Sequence, residues 1–305
     1  MNTRHAQYML TVLQEGSITG AAKKLYISQP SLSQMVKSVE ANLGVLVFNR
    51  NTDPITLTYA GQKYMEAARQ VLSINENLKK EIEEIAQEEH GKLRLGIPIQ
   101  RGMLALPQVL PKFFAQYPHV DVELVEFGST ETEKSLLEGK IDIACITTIP
   151  RHDKIRYLLI ENEEIVLLAS KNTDIARRVP DGTPISILEA KQENFISNKT
   201  GHSIRFIQDN IFAANNISPK ILLETVSIEI EKKVAASCGA VMICPLNYIE
   251  KDEGFRSQIH IYPLKGVSGT RHCYLCHRKD LYLTKYMRGL IDIFSEMAPP
   301  SIPKP

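Results

Sequence analysis

Residues 16–44, GSITGAAKKLYISQPSLSQMVKSVEANLG, decide the fold of the first part of the chain. The segment 17–25 predicts one short helix, and Tyr26 begins a turn. Ser28 then supplies an N-cap hydroxyl for a second helix, and Pro30 lies in the first turn of that helix, where a missing N–H does no harm. Two short helices joined by a tight turn form a helix-turn-helix. The residues expected to face its core from the second helix are Leu32, Val36, Val39 and Leu43.

The start of this second helix is polar and carries almost no cations, which suits a helix that enters the major groove of DNA. Gln can form two hydrogen bonds with adenine and Ser can bond either kind of base edge, whereas long cations suit phosphates. An N-cap on an ordinary solvated surface is the alternative interpretation, and the combination of features favours DNA. The predicted base-contacting residues are Gln29, Pro30, Ser31, Ser33 and Gln34, and the predicted phosphate contacts are Lys37 and Arg50.

Segments on both sides of this motif complete an N-terminal domain, which we call the head. Residues 5–14 predict an amphipathic helix that ends at Gly16, and residues 43–61 predict a small β-hairpin, or wing, that carries Arg50. Residues 1–80 hold nine Lys and Arg against five Asp and Glu, a net charge of +4 in a chain whose total is +1. A basic head on an acidic body favours nucleic acid as a partner of the head.

A long helix is predicted from its N-cap Thr58 to about Gln87. Apolar residues recur along one side of this helix at heptad spacing, which predicts a short dimeric coiled coil whose register Asn75 sets. The alternative is a helix packed on its own domain, but no neighbouring segment of the sequence covers this side. The predicted dimerisation residues are Tyr64, Val71, Asn75, Leu78, Ile82 and Ile85.

Beyond a predicted hinge at residues 88–91, strand-like runs alternate with helical ones. The runs 93–97, 120–127 and 141–146 predict strands, and the alternation continues to residue 244. This pattern predicts an α/β body with predominantly parallel sheets. Its length suits two subdomains with a cleft between them.

Composition limits the class of protein. Apolar residues make up 43% of the chain and charged residues 23%, which is ordinary for a globular protein. No run approaches the roughly 18 apolar residues of a membrane helix, and the N-terminus lacks the apolar core of a signal peptide. We therefore expect a cytoplasmic protein. Its five cysteines, an odd number, argue against a disulfide framework.

The chain resembles the LysR-type transcriptional regulators over its whole length. The specific part of the resemblance is GSITGAAKKLYISQPSLSQMVKSVEANLGVLVFNR at 16–50, followed by LTYAG at 57–61. The body resembles the family more loosely. The segments that carry this part of the resemblance are GKIDIACI, SPKILLET and VAASCGAVMICP, at 139–146, 218–225 and 234–245.

The resemblance implies a regulator that binds promoter DNA in a sequence-specific manner, as a dimer of dimers without a cofactor. RNA polymerase is a further partner if the protein is an activator. Many family members have Arg where this chain has Gln34 or Met35, which points to a different operator. The implied divisions are a winged helix-turn-helix at 1–58, a dimerising helix at 59–87, the hinge at 88–91, and a periplasmic-binding-protein-like effector domain at 92–305. Within that domain, subdomain I spans 92–161 and 268–305, and subdomain II spans 162–267.

In a two-lobed α/β fold the ligand lies between the lobes, at the carboxyl ends of strands and the N-termini of helices. The stretches 97–102, 146–148 and 197–203 match such positions. Helix N-termini favour anions, so we predict a small effector that carries a carboxylate. Ordinary solvated loops are the alternative interpretation. The predicted effector-binding residues are Pro98, Ile99, Gln100, Arg101, Thr147, Thr148, Ser197, Lys199, Thr200 and His202.

Cysteine and histidine residues in the body raise other possible functions. Cys238 and Cys244 leave open a thiol-redox-sensing regulator as an alternative. The stretch RHCYLCHRKD at 271–280 has the spacing of haem attachment, but a strand would place Cys273 and His277 on one face and Cys276 on the other. No metal site is therefore predicted. No catalytic motif is present, and we predict no enzyme activity.

Overall fold

The structure is a computed structural model, and it describes residues 2–49, 52–85, 90–147, 149–249, 253–266 and 270–296. The chain divides into two compact units. We call residues 1–88 with 280–284 the head unit, and residues 89–279 with 285–305 the body unit. None of the helices described is both long enough and apolar enough to cross a membrane.

The head unit is a helix-turn-helix with a short wing and a long helix, as predicted. Ser28 is confirmed as an N-cap, because its side chain accepts a hydrogen bond from the backbone N–H of Ser31. Ser17 caps α2 in the same way by accepting from the N–H of Gly20. The elements are α1 (Thr3–Glu15), α2 (Ile18–Lys24), α3 (Gln29–Leu43), β1 (Phe48–Asn49), β2 (Thr56–Leu57) and α4 (Tyr59–Ile85). Strands β1 and β2 pair in an antiparallel manner and form the wing.

One apolar core holds the head together. Helix α1 packs against the first half of α4 and against α2. Of the four apolar residues predicted to face the core from α3, Leu32, Val36 and Val39 are buried in it. The prediction for Leu43 is wrong, because this last residue of the helix is 47% exposed. The segment 280–284 also belongs to the head, and the backbone N–H of Tyr282 donates to Asn77 Oδ1 of α4 at 3.1 Å.

The body unit alternates strands and helices in nearly the predicted order. Its first part contains β3 (Gly91–Gly96), α5 (Ile99–Gln116), β4 (Val120–Val125), α6 (Ser129–Leu137), β5 (Ile143–Ile146) and β6 (Ile155–Ser170). The second part contains α7 (Asp174–Arg178), β7 (Asn194–Asn198), α8 (Ser203–Ala214), β8 (Lys220–Thr225), α9 (Ile228–Ser237), β9 (Val241–Pro245), α10 (Glu253–Arg256), β10 (Ile259–Pro263), β11 (Thr270–Arg278) and α11 (Lys285–Glu296).

The body strands form one mixed sheet in the order β4-β3-β5-β11-β6-β9-β7-β8, with β10 paired to β6. Pairing is parallel between β3, β4 and β5 and between β7, β8 and β9. The pairs made by β6, β10 and β11 are antiparallel, so the prediction of predominantly parallel sheets is only half right. The difference arises because β6 and β11 run in opposite directions between the two parallel groups.

Strand β6 connects two lobes of the body. It pairs with β11 from Ile155 to Glu164, and with β9 and β10 from Ile165 onward. The β3–β4–β5 group forms the first lobe, and the β7–β8–β9 group forms the second lobe around a large apolar core. Gly91, predicted in the hinge, is instead the first residue of β3, because it pairs with Val120.

Candidate functional site

The start of α3 presents the residues predicted to contact bases. Gln29, Pro30, Ser31 and Gln34 are exposed, and Ser33 is half-buried. Lys37 is also exposed, one turn further along the helix. The buried face of α3 fixes this orientation, since Leu32 and Val36 have no exposed surface. Arg50 lies outside the described residues.

A buried carboxylate ties the wing to α3. Glu40 is only 5% exposed, and its Oε1 accepts hydrogen bonds from the backbone N–H groups of Val47 and Phe48 at 2.9 and 3.2 Å. The sequence did not mark Glu40, because an acid near the end of a helix is ordinarily a surface residue. The carboxylate positions the start of the wing beside α3.

In the first half of α4 the structure differs from the predicted dimer seam. Tyr64 is only 8% exposed and packs in the core of its own head, so it is not available to a second chain. Val71 and Asn75 are half-buried, whereas Leu78 and Ile82 are 53% and 56% exposed. Heptad spacing alone could not show that α1 covers the start of the helix. The side chain of Ile85 lies outside the described part of the chain.

Three body helices have an N-cap residue whose side chain makes no capping hydrogen bond among the residues that the structure describes. They are α5, α6 and α8, whose N-cap residues are Pro98, Gly128 and His202. Helices α1, α3 and α9 instead receive side-chain caps from Asn2, Ser28 and Ser227. The uncapped starts of α6 and α8 face each other across the lobes, since a Cβ on Gly128 would lie 3.6 Å from the His202 ring.

A chain of hydroxyl groups links these two helix starts. Ser129 is the first residue of α6, and its Oγ lies 3.0 Å from the Thr147 hydroxyl oxygen. The same Oγ accepts a hydrogen bond from the Thr147 N–H at 3.1 Å. The Thr147 hydroxyl lies 2.8 Å from that of Ser203, the first residue of α8. Arg271 Nη1 donates to Ser203 Oγ at 3.2 Å. Thr147 therefore bridges the first lobe to the second.

A buried charged cluster adjoins this chain. The Glu163 carboxylate has no exposed side-chain surface and accepts from Arg271 Nε and from Arg101 Nη1, the latter at 3.3 Å. Arg101 also pairs with Glu161, and the Arg271 guanidinium lies 5.0 Å from the Tyr248 ring. Nη2 of Arg271 and Nε of Arg101 are buried without a hydrogen-bond partner among the described residues. We call Arg101, Glu161, Glu163 and Arg271 the charged cluster.

The other predicted effector residues are dispersed. Gln100 Nε2 donates to Glu229 Oε1 at 2.5 Å, which joins α5 to α9. Ile99 is exposed, as are Lys199 and Thr200. The Ser197 hydroxyl points into the second lobe, where it donates to Gln208 Oε1 at 2.5 Å.

His202 is half-buried, and burial lowers the pKa of its ring. Burial therefore favours the neutral form of the ring. Thr148 lies outside the described residues.

Sequence reasoning missed Ser129, Glu163 and Arg271, and it marked the stretch 197–203 without naming Ser203. Ser129 follows a strand and begins a helix, the same pattern that marked residues 97–102, so a signal existed. Arg271 and Glu163 come from strands β11 and β6, where no local pattern separates a functional charge from a surface one.

Two cavities flank the charged cluster. One of about 740 Å³ is lined by Glu161, Glu163 and Asn247, among others. The second, of about 390 Å³, is lined by Arg101, Glu161, Asn247 and neighbouring residues of α5. The hydroxyl groups of this chain contact one another directly, so a ligand that binds to them would have to separate Thr147 from Ser203.

The five cysteines are free, and the contact between two of them was not predicted. Cys145 and Cys273 are fully buried with their sulfur atoms 3.3 Å apart. The hydrogen bond between the thiols lowers the pKa of Cys145 and raises that of Cys273. Cys238 is exposed, and burial raises the pKa of Cys244 to about 12. Thiol chemistry at the cleft would therefore involve a different pair.

The 271–280 stretch is a strand, β11, as far as Arg278, and Lys279 and Asp280 follow in a turn. Cys276 packs in the first-lobe core with Ala144 and Ile146, while Cys273 contacts Cys145 from the opposite face. No group of three or more potential metal ligands is found among the residues that the structure describes.

Comparison with known proteins identifies the family. Residues 3–62 match the bacterial regulatory helix-turn-helix protein of the lysR family, and residues 86–299 match the LysR substrate binding domain. The uncharacterized HTH-type transcriptional regulator YcgK of Bacillus subtilis is 29% identical over 269 residues, which are 83% of this chain and 82% of that protein.

Two solved structures share the fold. A full-length OxyR variant from Pseudomonas aeruginosa has a TM-score of 0.69 at 21% identity, and the match covers 97% of this chain and 94% of that one. Full-length CbnR complexed with its target DNA has a TM-score of 0.58 at 22% identity, with 98% and 99% covered. The chain therefore belongs to the LysR family, and it is a DNA-binding transcriptional regulator with an effector-binding domain.

Proposed function

We propose that a small metabolite carrying a carboxylate binds between the two lobes of the body and changes how the regulator binds its promoter. The observation that carries this proposal is the set of uncapped helix starts at α5, α6 and α8. Free N–H groups and the helix dipole at such a start attract an anion. In α1, α3 and α9 the side chain of the N-cap residue already accepts a hydrogen bond from one of these N–H groups.

The side chains around the cleft fit the same ligand class. Hydroxyls from Ser129, Thr147 and Ser203 can donate to carboxylate oxygens. Arg271 contributes a buried Nη2 that has no partner among the described residues, and an arginine fork suits a carboxylate. Glu163 already balances one guanidinium charge, which favours a ligand of low net charge over a polyanion.

The coupling to DNA would follow from lobe movement. Thr147 and Ser129 belong to the first lobe and Ser203 to the second, and their direct contact joins the lobes. A carboxylate that replaced the Thr147–Ser203 contact would favour one lobe arrangement over the other. A ligand shifts such an equilibrium by its difference in affinity for the two arrangements.

Thermal unfolding of the full chain with a library of small carboxylates and their neutral amides tests this proposal. We expect one or more carboxylates to raise the Tm and change operator affinity, because a ligand at 100 times its Kd adds about 2.7 kcal/mol of stability. Their amides should not. Thr147→Val should abolish the shift, whereas Thr130→Val, an exposed threonine of α6, should preserve it. Equal shifts with the amides, or tight binding that leaves operator affinity unchanged, would contradict the proposal.

For the DNA contacts, we propose that Gln29, Ser31 and Gln34 read bases, with Pro30 and Ser33 beside them, and that Lys37 binds phosphate. All except Ser33 are exposed. Arg50 keeps the phosphate role predicted from the sequence.

Gln29→Ala with Ser31→Ala should reduce the preference for the operator over unrelated DNA, by about 1–3 kcal/mol for each side chain that hydrogen-bonds a base edge. Lys37→Ala should weaken binding to all sequences and reduce the salt slope by about 0.9. Competition binding at several salt concentrations measures both effects. An unchanged preference in the double variant would remove the base-reading role.

For self-association, we propose a dimer contact on the second half of α4. Ile74, Leu78 and Ile82 recur every four residues and are 68%, 53% and 56% exposed. This spacing places them on one side of the helix. The domain boundaries given above, assembly as a dimer of dimers, a cytoplasmic location and a contact with RNA polymerase stay predictions.

A thiol-redox sensor is the second candidate function, and the Cys145–Cys273 contact is the observation that favours it. Peroxide would oxidise the Cys145 thiolate to a sulfenic acid, and the Cys273 thiol would displace water to form the disulfide. Operator binding measured with hydrogen peroxide in place of the carboxylates tests this function. A disulfide that leaves operator affinity unchanged would exclude it.

A further inference from the structure

At Tyr26 the backbone conformation and the residue type disagree. Helix α2 ends in a Schellman turn, in which the N–H of Ile27 donates to the Ala22 carbonyl at 3.1 Å and the N–H of Tyr26 to the Lys23 carbonyl at 3.2 Å. Tyr26 occupies the left-handed position of this turn, with φ of 54°. Glycine usually occupies that position, because a Cβ there is strained.

Packing within the head does not compensate for this strain. The Tyr26 side chain is 96% exposed, and no hydrogen bond or ring contact to it is seen among the described residues. An aromatic ring left in water also forgoes the burial that usually accounts for its presence. The residue therefore contributes nothing evident to folding.

The body contains the same turn with a different residue. Helix α8 ends with the N–H of Ile217 donating to the Phe212 carbonyl at 2.9 Å, and that of Asn216 to the Ala213 carbonyl at 3.2 Å. Asn216 has φ of 53°, almost identical to that of Tyr26. Asparagine is the residue that tolerates this conformation best after glycine. The two turns therefore make a matched pair, one with a favoured residue and one without.

The position of Tyr26 in the head indicates what the side chain contacts. It lies two residues before Ser28, the N-cap of α3, and directly after Lys23, Lys24 and Leu25. A recognition helix enters the major groove with its N-terminal residues, and the segment before it meets the sugar-phosphate backbone at the groove edge. A phenol supplies one O–H donor for a phosphate oxygen and a flat apolar face for a deoxyribose.

We propose that Tyr26 is a DNA-contacting residue, with its phenolic O–H donating to a phosphate oxygen beside the groove that receives α3 and its ring against the adjacent sugar. This proposal rests on the DNA binding of the family. A neutral contact of this kind positions the head without reading sequence. It also displaces no counterion, so it contributes nothing to the salt dependence of binding.

The test compares Tyr26→Gly with Asn216→Gly in the full chain. Binding is measured to the duplex that the unmodified protein selects from a random-sequence pool, and to an unrelated duplex of equal length, at several salt concentrations. Tyr26→Gly should keep or raise the Tm and weaken binding to both duplexes about tenfold to 150-fold, the factor of one hydrogen bond to a charged group. Its salt slope should equal that of the unmodified protein. Asn216→Gly should bind both duplexes normally, and Tyr26→Phe should lose only part of the affinity.

Unchanged affinity of Tyr26→Gly for both duplexes overturns the proposal. A loss confined to the selected duplex overturns the phosphate contact, because it would show that Tyr26 reads a base. A lower Tm in Tyr26→Gly overturns the inference from strain, because it would show that the ring stabilises the head. A failure of the unmodified protein to select any duplex would instead contradict its DNA binding.

Discussion

Replacing Arg271 by methionine is expected to lower the free energy of unfolding of the body unit by about 3–5 kcal/mol, the usual cost of removing one partner from a buried ion pair. Glu163 has no exposed side-chain surface, and Arg271 is one of its two cationic partners among the described residues. Without Arg271 the carboxylate keeps the contacts from Arg101 Nη1 and Asn247 Nδ2, both at 3.3 Å, and the Ser203 hydroxyl loses a donor. Methionine fills a similar volume, so the loss reports the charge rather than a cavity.

Calorimetry of the full chain measures this effect as a fall of roughly 6–20 °C in the Tm of the body transition. Arg177→Met is the control, since Arg177 and its partner Asp174 are 66% and 81% exposed and such pairs contribute at most about 1 kcal/mol. Adding Glu163→Gln to Arg271→Met should recover part of the loss, because it removes the unpaired buried charge. A loss under about 1 kcal/mol in Arg271→Met would show that water or Arg101 compensates the carboxylate fully.

The stability of the body is expected to fall as the pH rises from about 4.5 to about 8, because of one buried acid. Glu231 has no exposed surface, and burial raises its pKa from 4.5 to about 8. In this interval the folded chain holds a proton that the unfolded chain releases, so each pH unit costs up to about 1.4 kcal/mol. The contribution is fully present below pH 4.5 and is lost as the pH passes the folded-state value.

The hydrogen bonds of Glu231 fit the protonated form. Asn198 Nδ2 donates to Glu231 Oε1, while Asn198 Oδ1 and Glu231 Oε2 are buried without partners among the described residues. A protonated Oε2 could donate to Asn198 Oδ1 and satisfy both atoms at once. The ionised form leaves both acceptors unsatisfied, and buried Lys232 is already paired with Glu229 and the Tyr248 carbonyl.

Glu231→Gln reproduces the protonated acid at every pH, since its amide can donate where Oε2–H would. We expect the variant to match the unmodified protein near pH 5 and to exceed its stability at pH 8. Urea unfolding of the body between pH 4.5 and 8.5 measures the difference, and Glu126→Gln, at an exposed position, is the control. Parallel pH profiles for Glu231→Gln and the unmodified protein would show that Glu231 is ionised in the folded chain.

The head is the part of the protein that local signals predict best. Ser17 and Ser28 act on N–H groups three residues away, and Leu32 and Val36 recur at helical spacing on one face. Each of these effects operates within a few residues of the chain. Tyr64 shows the limit of such reasoning, because heptad spacing cannot show whether a partner chain or the chain's own α1 covers a helix.

The cleft was predicted only in part. Thr147 and Arg101 were marked by their places after a strand and near a helix start, and both contact the cluster or the hydroxyl chain. Ser197 occupied an equally suitable place in the sequence, yet its hydroxyl turns inward to Gln208. The direction of a side chain at the end of a strand depends on the twist and neighbours of that strand, which local sequence does not report.

By itself the sequence determined the helix-turn-helix head, the long helix and the α/β body, because caps, turns and hydrophobic periodicity act over short stretches of chain. Only the tertiary structure decided which residues meet at the cleft. Thr147, Glu163, Ser203 and Arg271 come from four separate segments, and the pairing of β5, β6 and β11 with the start of α8 brings them together. Contacts between distant segments depend on sheet order and register, and no single segment carries that information.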